Sequence, residues 1–162
     1  MTIGPRLRQT EAKRVAGLAL RTDNATESRA GGSGGKIPGL WQRFRTEDWF
    51  GRLEALGAFG PPIGVYSAYE SDVSGSFQIL AGREVPATAG VAAPLYVVSV
   101  PAGTYLVFES AGQLPQSVVK GWQEVWAYFE RPRDVARAYS CDFEIYPSAE
   151  AVEIWIAVKQ TP

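Results

Sequence analysis

The sequence of 162 residues contains no histidine and one cysteine, Cys141. The absence of histidine excludes the Ser-His-Asp and Cys-His catalytic triads and every metal site that depends on imidazole. A single cysteine cannot form an internal disulfide or a thiolate metal cluster, which is typical of proteins in the reducing cytoplasm. We therefore expect a cytoplasmic protein without a metal or cofactor, in which any chemistry uses Asp, Glu, Tyr, Lys, Arg or Ser.

A strong net charge and long apolar runs are also lacking. The formal net charge is -1, so the sequence does not indicate a nucleic-acid-binding surface. No apolar run approaches the ~20 residues needed to span a bilayer, and residues 1–6 lack the apolar stretch of a signal peptide. Hydrophobic residues make up 46% of the chain and charged residues 20%. This balance predicts one globular domain over residues 1–162, with no membrane segment and no direct nucleic-acid contact.

Hydrophobic periodicity divides the chain into strands and helices. Strands are predicted at Arg14–Thr22, Ile63–Glu70, Phe77–Val85, Leu95–Val100, Thr104–Ser110, Tyr139–Tyr146 and Ala151–Lys159. Apolar residues at three- and four-residue spacing predict helices at Pro38–Glu47 and Leu114–Glu130, with a further short helix within Glu47–Leu56. Residues 1–10 are expected to be frayed, and residues 30–35 to form a flexible glycine-rich loop.

Two halves of the chain, about residues 14–85 and 95–160, have the same order of elements. Trp41-Gln42 and Trp122-Gln123 occupy equivalent places in the two main helices. The strand segments also align, Tyr66–Tyr69 with Phe143–Tyr146 and Phe77–Ala81 with Glu153–Ala157. The pattern predicts an α+β fold of duplicated β-α-β-β units with pseudo-two-fold symmetry and helices on one face of a curved antiparallel sheet. A ligand cleft is expected where the halves meet, on the face away from the helices.

Glu144 is a carboxylate in the middle of an apolar strand. Period-two alternation places it on one face of that strand together with Asp142 and Tyr146. Burial of a carboxylate costs several kcal/mol unless the charge is paired. An organic cation in the cleft would supply the missing charge, and aromatic faces would add roughly 0.5–2 kcal/mol each. The alternative is that Glu144 is solvated, or forms a salt bridge with an arginine or lysine of the chain. Candidates for that salt bridge are Arg83, Arg137 and Lys159.

Aromatic residues on nearby strands complete the candidate ligand site. The full set of candidates is Glu144, Tyr146, Trp155, Tyr69, Phe77 and Tyr105. Alternation along the last strand places Trp155 with Glu153 on the ligand face, and leaves an aliphatic face to pack under the helices. Trp41 and Trp122 are interpreted as core anchors of their helices rather than as ligand contacts.

Several segments together resemble the gyrase-inhibitor-like (GyrI-like) effector-binding family, including its standalone members encoded in integron cassettes. These segments are Val15–Leu18, Ile37–Trp41, Val98–Tyr105, Trp122–Phe129, Asp142–Tyr146 and Glu153–Ile156. The resemblance implies a duplicated β-α-β-β fold with a central ligand cleft. It also implies that lipophilic cations bind through aromatic rings and a buried glutamate, which the match places at Glu144. In multidrug-responsive regulators this domain accompanies a DNA-binding module. About ten residues precede the first predicted strand here, so we expect no such module in this sequence.

The sequence leaves three functional hypotheses open. The first is non-catalytic binding of hydrophobic, cationic small molecules, as a drug-sequestering protein or as a sensor associated with a transcription regulator. The second is a small-molecule hydrolase similar to other relatives of this fold, with Glu144 as general base and Tyr146 or Tyr69 as its partner. The third, suggested only by the family name, is a protein inhibitor of a DNA enzyme such as gyrase. The expected small-molecule partner is a lipophilic cation. The expected protein partner is either a second copy of the chain, paired through Leu95–Val100, or a regulator protein.

Overall fold

A computed structural model describes residues 4–29 and 35–160 of the chain. The strands within these ranges are β1 (Arg6–Thr10), β2 (Lys13–Asp23), β3 (Phe59–Ser67), β4 (Ser76–Val85), β5 (Tyr96–Val100), β6 (Gly103–Ala111), β7 (Val135–Arg137), β8 (Cys141–Ser148) and β9 (Ala151–Gln160). The helices are α1 (Asn24–Arg29), α2 (Lys36–Thr46), α3 (Trp49–Arg52) and α4 (Gln116–Phe129), with a 3₁₀ turn at Leu53–Leu56. The predicted loop at residues 30–35 lies outside the described residues except for Gly35.

The strand order shows the duplication directly. The strands pair antiparallel in the order β1-β6-β9-β8-β3-β4-β2-β5, and β7 pairs with β9. Strands β3-β4-β2 of the first unit are mirrored by β8-β9-β6 of the second, so a pseudo-two-fold axis lies between β3 and β8. The main helix of each unit lies between its first and second strands, α2 after β2 and α4 after β6. The predicted α+β fold of two β-α-β-β units is therefore confirmed.

The sheet curves around a core of its own. Val15 of β2 and Tyr105 of β6 belong to one buried cluster, although their strands lie near opposite ends of the sheet. Phe143 and Trp155 fill the centre of that cluster, with their rings stacked at a centroid distance of 5.2 Å. We call this face the inner face. Because its own side chains fill it, the inner face buries its apolar surface without any helix.

The helices cover the opposite, outer face of the sheet. Leu40 and Phe44 of α2 pack on the first unit, where Ile79 lies fully buried. Val125 of α4 packs on the second unit, where Ile154 lies fully buried. The aliphatic face predicted for β9 does pack under a helix. Each helix covers its own unit, and the two helices leave a space between them above the junction of β3 and β8.

Local chemistry explains where α2 begins and where α4 ends. Glu27 of α1 accepts hydrogen bonds from the backbone N–H groups of Lys36 and Ile37 at 3.0 Å each, which satisfies two free donors at the start of α2. The amphipathic stripe of α4 ends just before Arg131-Pro132, where proline cannot continue a helix.

Three elements were not predicted, namely β1, α1 and β7. The expectation that residues 1–10 are frayed is wrong for β1, which pairs with β6 along its whole length. Its sequence has no buried alternation, since Leu7 is 56% exposed and the strand is held by backbone pairing and an Arg6–Glu109 ion pair at 3.1 Å. In addition, no helix in the described ranges is long and apolar enough to cross a membrane.

Two glycines bring β2 and β4 into close contact. Gly17 and Gly82 are paired, and a Cβ added to either would lie 2.0 Å or 1.9 Å from a backbone oxygen of the other strand, Ala81 O or Ala16 O respectively. We predict that Gly17→Ala or Gly82→Ala destabilises the protein by more than about 2 kcal/mol, because backbone must move to admit the methyl group. Urea denaturation of each variant measures this loss.

Gly39 provides the matched control for that measurement. It lies in α2 with no atom within 4 Å of an added Cβ. Gly39→Ala should therefore stabilise the protein by about 0.5–1 kcal/mol, since alanine favours a helix over glycine. Equal stability of Gly82→Ala and wild type would contradict the close approach of the two strands.

Candidate functional site

A cavity of about 1240 Å³ occupies the space between α2 and α4. Its walls come from both helices, with Trp41 and Phe44 from α2 and Trp122 and Trp126 from α4. Its floor is the outer face of the sheet where β3 meets β8. The predicted cleft thus lies at the junction of the two units, but the prediction that it faces away from the helices is wrong. The curvature of the sheet closes the inner face, whereas the separation of the helices opens the outer one.

Glu144 of β8 lies on the floor of the cavity and is 1% exposed. Its Oε2 accepts hydrogen bonds from Tyr66 Oη at 2.8 Å and from Trp122 Nε1 at 2.5 Å. Its Oε1 accepts a hydrogen bond from Tyr146 Oη at 2.6 Å. All three donors are neutral, so the carboxylate is hydrogen-bonded but its charge is not paired.

Three basic residues were candidates for a salt bridge with Glu144. Two of them form ion pairs with other carboxylates, and the third does not contact Glu144. Arg137 Nη2 donates to Asp142 Oδ2 at 2.8 Å, and Arg83 Nη1 lies 3.4 Å from Glu54 Oε1. Lys159 is exposed near the end of β9. Within residues 4–29 and 35–160, no lysine or arginine lies within ion-pair distance of Glu144. Glu144 is thus a buried carboxylate without a counter-charge in the described part of the chain.

Burial dominates the electrostatics of this carboxylate. It raises the pKa of Glu144 above the ordinary value, against the lowering effect of the hydrogen bonds from Tyr146, Trp122 and Tyr66. Burial, together with the charge of Glu144, also raises the pKa of Tyr66 and of Tyr146 well above the usual range. Both phenols therefore stay protonated near neutral pH and act only as donors to the carboxylate.

Aromatic rings surround Glu144 in edge-to-face contacts. The ring of Tyr66 lies 5.1 Å from that of Trp122, and the ring of Tyr146 lies 5.2 Å from that of Trp41. These centroid distances are within the range of favourable aromatic pairs. Each pair joins a strand residue to a helix residue. The floor of the cavity therefore packs against both of its walls.

A second buried charge lies beside this group. Asp142 is fully buried, and its Oδ2 accepts hydrogen bonds from both Arg137 and Tyr69. Its Oδ1 accepts the backbone N–H of Ala157 at 2.8 Å. Arg137, Tyr69 and Tyr139 all line the cavity. In contrast to Glu144, this carboxylate has its own cation.

The structure brings together four of the six predicted site residues. Glu144, Tyr146, Tyr69 and Phe77 all line the cavity, although a ligand-binding role for them remains a prediction. Trp155 and Tyr105 do not line it, because both lie on the inner face. Placing Trp155 with Glu144 was wrong by one residue of register. Glu144 is paired with Ile154, and Trp155 with Phe143. Because side chains alternate, a slip of one residue exchanges the two faces of a strand.

The same slip affects the internal alignment of the halves. Matching Ile79 with Trp155 is wrong, because Ile79 lies under α2 on the outer face and Trp155 lies on the inner face. It also concealed Tyr66, which was aligned with the inner-face residue Phe143 but lies beside Glu144 on the outer face. Period-two alternation along β3, which places Tyr66 opposite the apolar Ile63 and Val65 of the inner face, was the signal that could have placed Tyr66 correctly.

Trp41 and Trp122 both line the cavity, which the prediction of a core role did not anticipate. They also pack against the core under α2, so each indole has a structural role as well. Gly64 of β3 makes room for the Trp41 ring and for the Glu144 carboxylate. It lies opposite Glu144, and a Cβ there would be 3.1 Å from Glu144 Oε1 and 3.1 Å from the Trp41 ring.

Comparison with known proteins identifies the family. A profile of integron-associated effector-binding proteins, the Cass2 family, matches residues 6–158. The chain belongs to this family. The resemblance to GyrI-like effector-binding domains is thereby confirmed. An integron cassette protein from the mobile metagenome of Vibrio cholerae is 33% identical, with a TM-score of 0.80 over 98% of this chain and 97% of that one.

Other relatives agree with this assignment. YobU of Bacillus subtilis strain 168, named as a candidate transcriptional regulator, is 30% identical over 160 residues, which cover 93% of this chain and 94% of that protein. The structure of SAV2435 bound to tetraphenylphosphonium has a TM-score of 0.73 at 20% identity, over 97% of this chain and 94% of that one. A hydrolase of Listeria innocua has a TM-score of 0.54 at 10% identity, over 96% and 92% of the two chains. The last two likenesses show the fold alone.

The raised pKa of Glu144 predicts a specific pH dependence of stability. The folded state holds the Glu144 proton more tightly than the unfolded state, so deprotonation favours unfolding. As the pH rises from about 4.3, the ordinary glutamate pKa, to the raised pKa of the folded state, the free energy of unfolding of wild type should fall relative to that of Glu144→Gln. Glutamine retains the shape, accepts from Tyr66 and Trp122 and donates to Tyr146 Oη, so the variant should fold.

Urea denaturation of both proteins from pH 4 to pH 8 measures this difference. Acid effects at other sites are common to the two proteins and cancel. Wild type that gains stability relative to Glu144→Gln as the pH rises would contradict a buried carboxylate without a counter-charge.

Proposed function

We propose that the protein binds hydrophobic organic cations in the cavity between α2 and α4, with Glu144 as the counter-charge. One observation carries the proposal, namely that Glu144 is 1% exposed and hydrogen-bonded by three neutral donors. A buried charge without a partner is costly in a stable fold. A cation in the cavity would recover that cost, so the site favours positively charged ligands over neutral or negative ones of the same shape.

The lining of the cavity supports a large and apolar ligand. Its volume of about 1240 Å³ is above the usual range of roughly 300–1,000 Å³ for small-molecule sites. Indole rings from Trp41, Trp122 and Trp126 stand on the walls, and Phe77 adds an apolar ring. Aromatic faces attract cations through their quadrupoles, and more strongly when water is excluded. The binding of tetraphenylphosphonium, a bulky lipophilic cation, by a protein of the same fold is consistent with this proposal.

Binding without catalysis fits the geometry better than hydrolysis. The Glu144 oxygens already accept three hydrogen bonds, which leaves little of the capacity that a general base needs to activate a water. Asp142, the nearest other buried acid described above, is held by Arg137 and Tyr69 and does not line the cavity. The buried thiol of Cys141 is no nucleophile near neutral pH, because burial raises its pKa to about 12.

We infer that ligand binding serves sensing or sequestration of foreign molecules. The family consists of effector-binding proteins, and YobU is named as a candidate regulator. A sensor of this kind would act through a regulator protein or a second copy of the chain. Strand β5, with Tyr96 56% and Val97 40% exposed at the edge of the sheet, is the surface we propose for that contact.

Two ions of matched shape and opposite charge test the proposed site. Tetraphenylphosphonium should bind wild type, and tetraphenylborate should bind at least about tenfold more weakly, a difference of ~1.4 kcal/mol. In Glu144→Gln the affinity for the cation should fall by a similar factor, because the counter-charge is gone. Isothermal titration calorimetry measures both affinities directly.

Glu153→Gln is the control for that titration. It removes the same charge from the neighbouring strand, but Glu153 does not line the cavity. Its affinity for tetraphenylphosphonium should match that of wild type. Equal binding of the two ions, or equal cation binding by wild type and Glu144→Gln, would refute the role of Glu144. Chemical conversion of a bound ligand by the purified protein would instead establish the hydrolase.

The same site predicts that cation affinity depends on pH. Only the ionised carboxylate attracts a cation, and the pKa of Glu144 in the free protein is raised by burial. The affinity for tetraphenylphosphonium should therefore increase as the pH rises through that raised pKa, and it should then level off. Glu144→Gln should show no such increase. A wild-type affinity that is constant from pH 4 to pH 8 would count against the proposal.

A further inference from the structure

Arg137 of β7 places a second charged group in the cavity wall. The residue is 8% exposed and lines the cavity. Its guanidinium carbon lies 4.4 Å from the centre of the Tyr139 ring and 5.8 Å from that of the Trp122 ring. It is a buried cation, paired with Asp142, at the edge of the proposed cation site.

The hydrogen bonds of Arg137 are incomplete. Its Nη2 donates to Asp142, whereas its Nε is buried and has no acceptor among residues 4–29 and 35–160. Asp142 cannot supply another acceptor easily, since it already accepts from Tyr69, Arg137 and the backbone of Ala157. Arginine carries five N–H donors in a planar fork, which suits a carboxylate. Arg137 therefore keeps a hydrogen-bond donor that no residue of the described ranges satisfies.

Two cavity-lining tryptophans add further buried donors without an acceptor. The indole Nε1 atoms of Trp41 and Trp126 are also buried without an acceptor in the described part of the chain. Both indoles line the cavity. Buried donors without an acceptor are uncommon in folded proteins, so these three groups mark a part of the wall whose polar contacts are incomplete.

Trp122 connects the two charged groups. Its Nε1 donates to Glu144 Oε2, and its ring faces the guanidinium of Arg137. A flat ligand that packs on this indole would have the Glu144 carboxylate at one end and the Arg137 guanidinium, in its ion pair with Asp142, at the other. The ion pair with Asp142 balances the charge of Arg137, so Arg137 does not cancel the unpaired charge of Glu144.

We propose that the cavity prefers zwitterionic aromatic ligands, with a cationic centre at Glu144 and a carboxylate at Arg137. This inference rests on the proposed function, because it assigns the second half of a ligand whose first half is the cation. Zwitterionic ligands of this kind differ from simple lipophilic cations, which would pair with Glu144 but would not contact Arg137 through a carboxylate.

Two dyes of nearly identical shape test the proposal. Tetramethylrhodamine is a zwitterion at pH 7.5, and its methyl ester is a monocation that lacks only the free carboxylate. Fluorescence anisotropy of each dye during titration with the full chain gives both affinities. In wild type the acid should bind at least as tightly as the ester. A site for simple cations would instead bind the acid more weakly, because its carboxylate adds a desolvation cost and repulsion from Glu144.

The variant Arg137→Gln/Asp142→Asn removes both charges of the ion pair and leaves the net charge of the protein unchanged. In this variant the ratio of acid affinity to ester affinity should fall about tenfold, as expected for the loss of a charge-assisted contact. Arg137→Lys, which keeps the ion pair with Asp142 but loses the planar fork, should lower the ratio in the same direction. Its circular dichroism and melting temperature show whether the fold is retained.

Each outcome decides between the two proposals. Weaker binding of the acid than of the ester by wild type overturns the zwitterion proposal, and so does an affinity ratio that is the same in wild type and Arg137→Lys. In both cases, ester binding that depends on Glu144 leaves the proposed function standing. If neither dye binds wild type, both proposals are contradicted.

Discussion

The unpaired charge of Glu144 is the constraint on which the rest of the site depends. Its carboxylate is buried at the centre of the sheet, and Tyr66, Trp122 and Tyr146 donate to it. Hydrogen bonds from neutral groups reduce the free-energy cost of burying the ionised carboxylate but do not remove it. The pKa of Glu144 is therefore still raised. The free protein therefore holds an electrostatic cost, which the cation of the proposed function would relieve. Under that proposal, the buried carboxylate gives the site its selectivity for the charge of a ligand.

The duplicated fold makes such a position possible. Two β-α-β-β units join at β3 and β8, and the junction lies in the middle of the sheet, where neither helix covers it completely. Gly64, directly opposite Glu144, leaves the space that the carboxylate and the Trp41 ring occupy. Each unit contributes one tryptophan helix to the walls of the cavity. The two walls of the cavity are thus related by the pseudo-two-fold axis, whereas the Glu144 carboxylate on its floor comes from the second unit alone.

Much of this organisation could be predicted from the sequence. Alternation within β8 predicted that Glu144 and Tyr146 share a face, and the repeated Trp-Gln pairs predicted two equivalent helices. Pairing between strands could not be obtained in the same way, because a period of two fixes the faces of one strand but not the register of its neighbour. Trp155 and Tyr105 were misplaced for this reason. Likewise, an apolar stripe on α4 cannot show whether Trp122 packs into the core or lines a cavity beside it. Arg137 lies in a strand of three residues, which is too short to give any periodic signal.

Carbon-13 NMR of the Glu144 side-chain carboxyl, in protein labelled at glutamate and assigned with Glu144→Gln, tests the central claim most directly. The pKa of this carboxyl should lie above the ordinary glutamate value of about 4.3 in the free protein. Saturation with tetraphenylphosphonium should lower it, because a bound cation stabilises the ionised form. A Glu144 pKa that does not change when the cavity is saturated would show that the ligand does not compensate this charge, and would contradict the account.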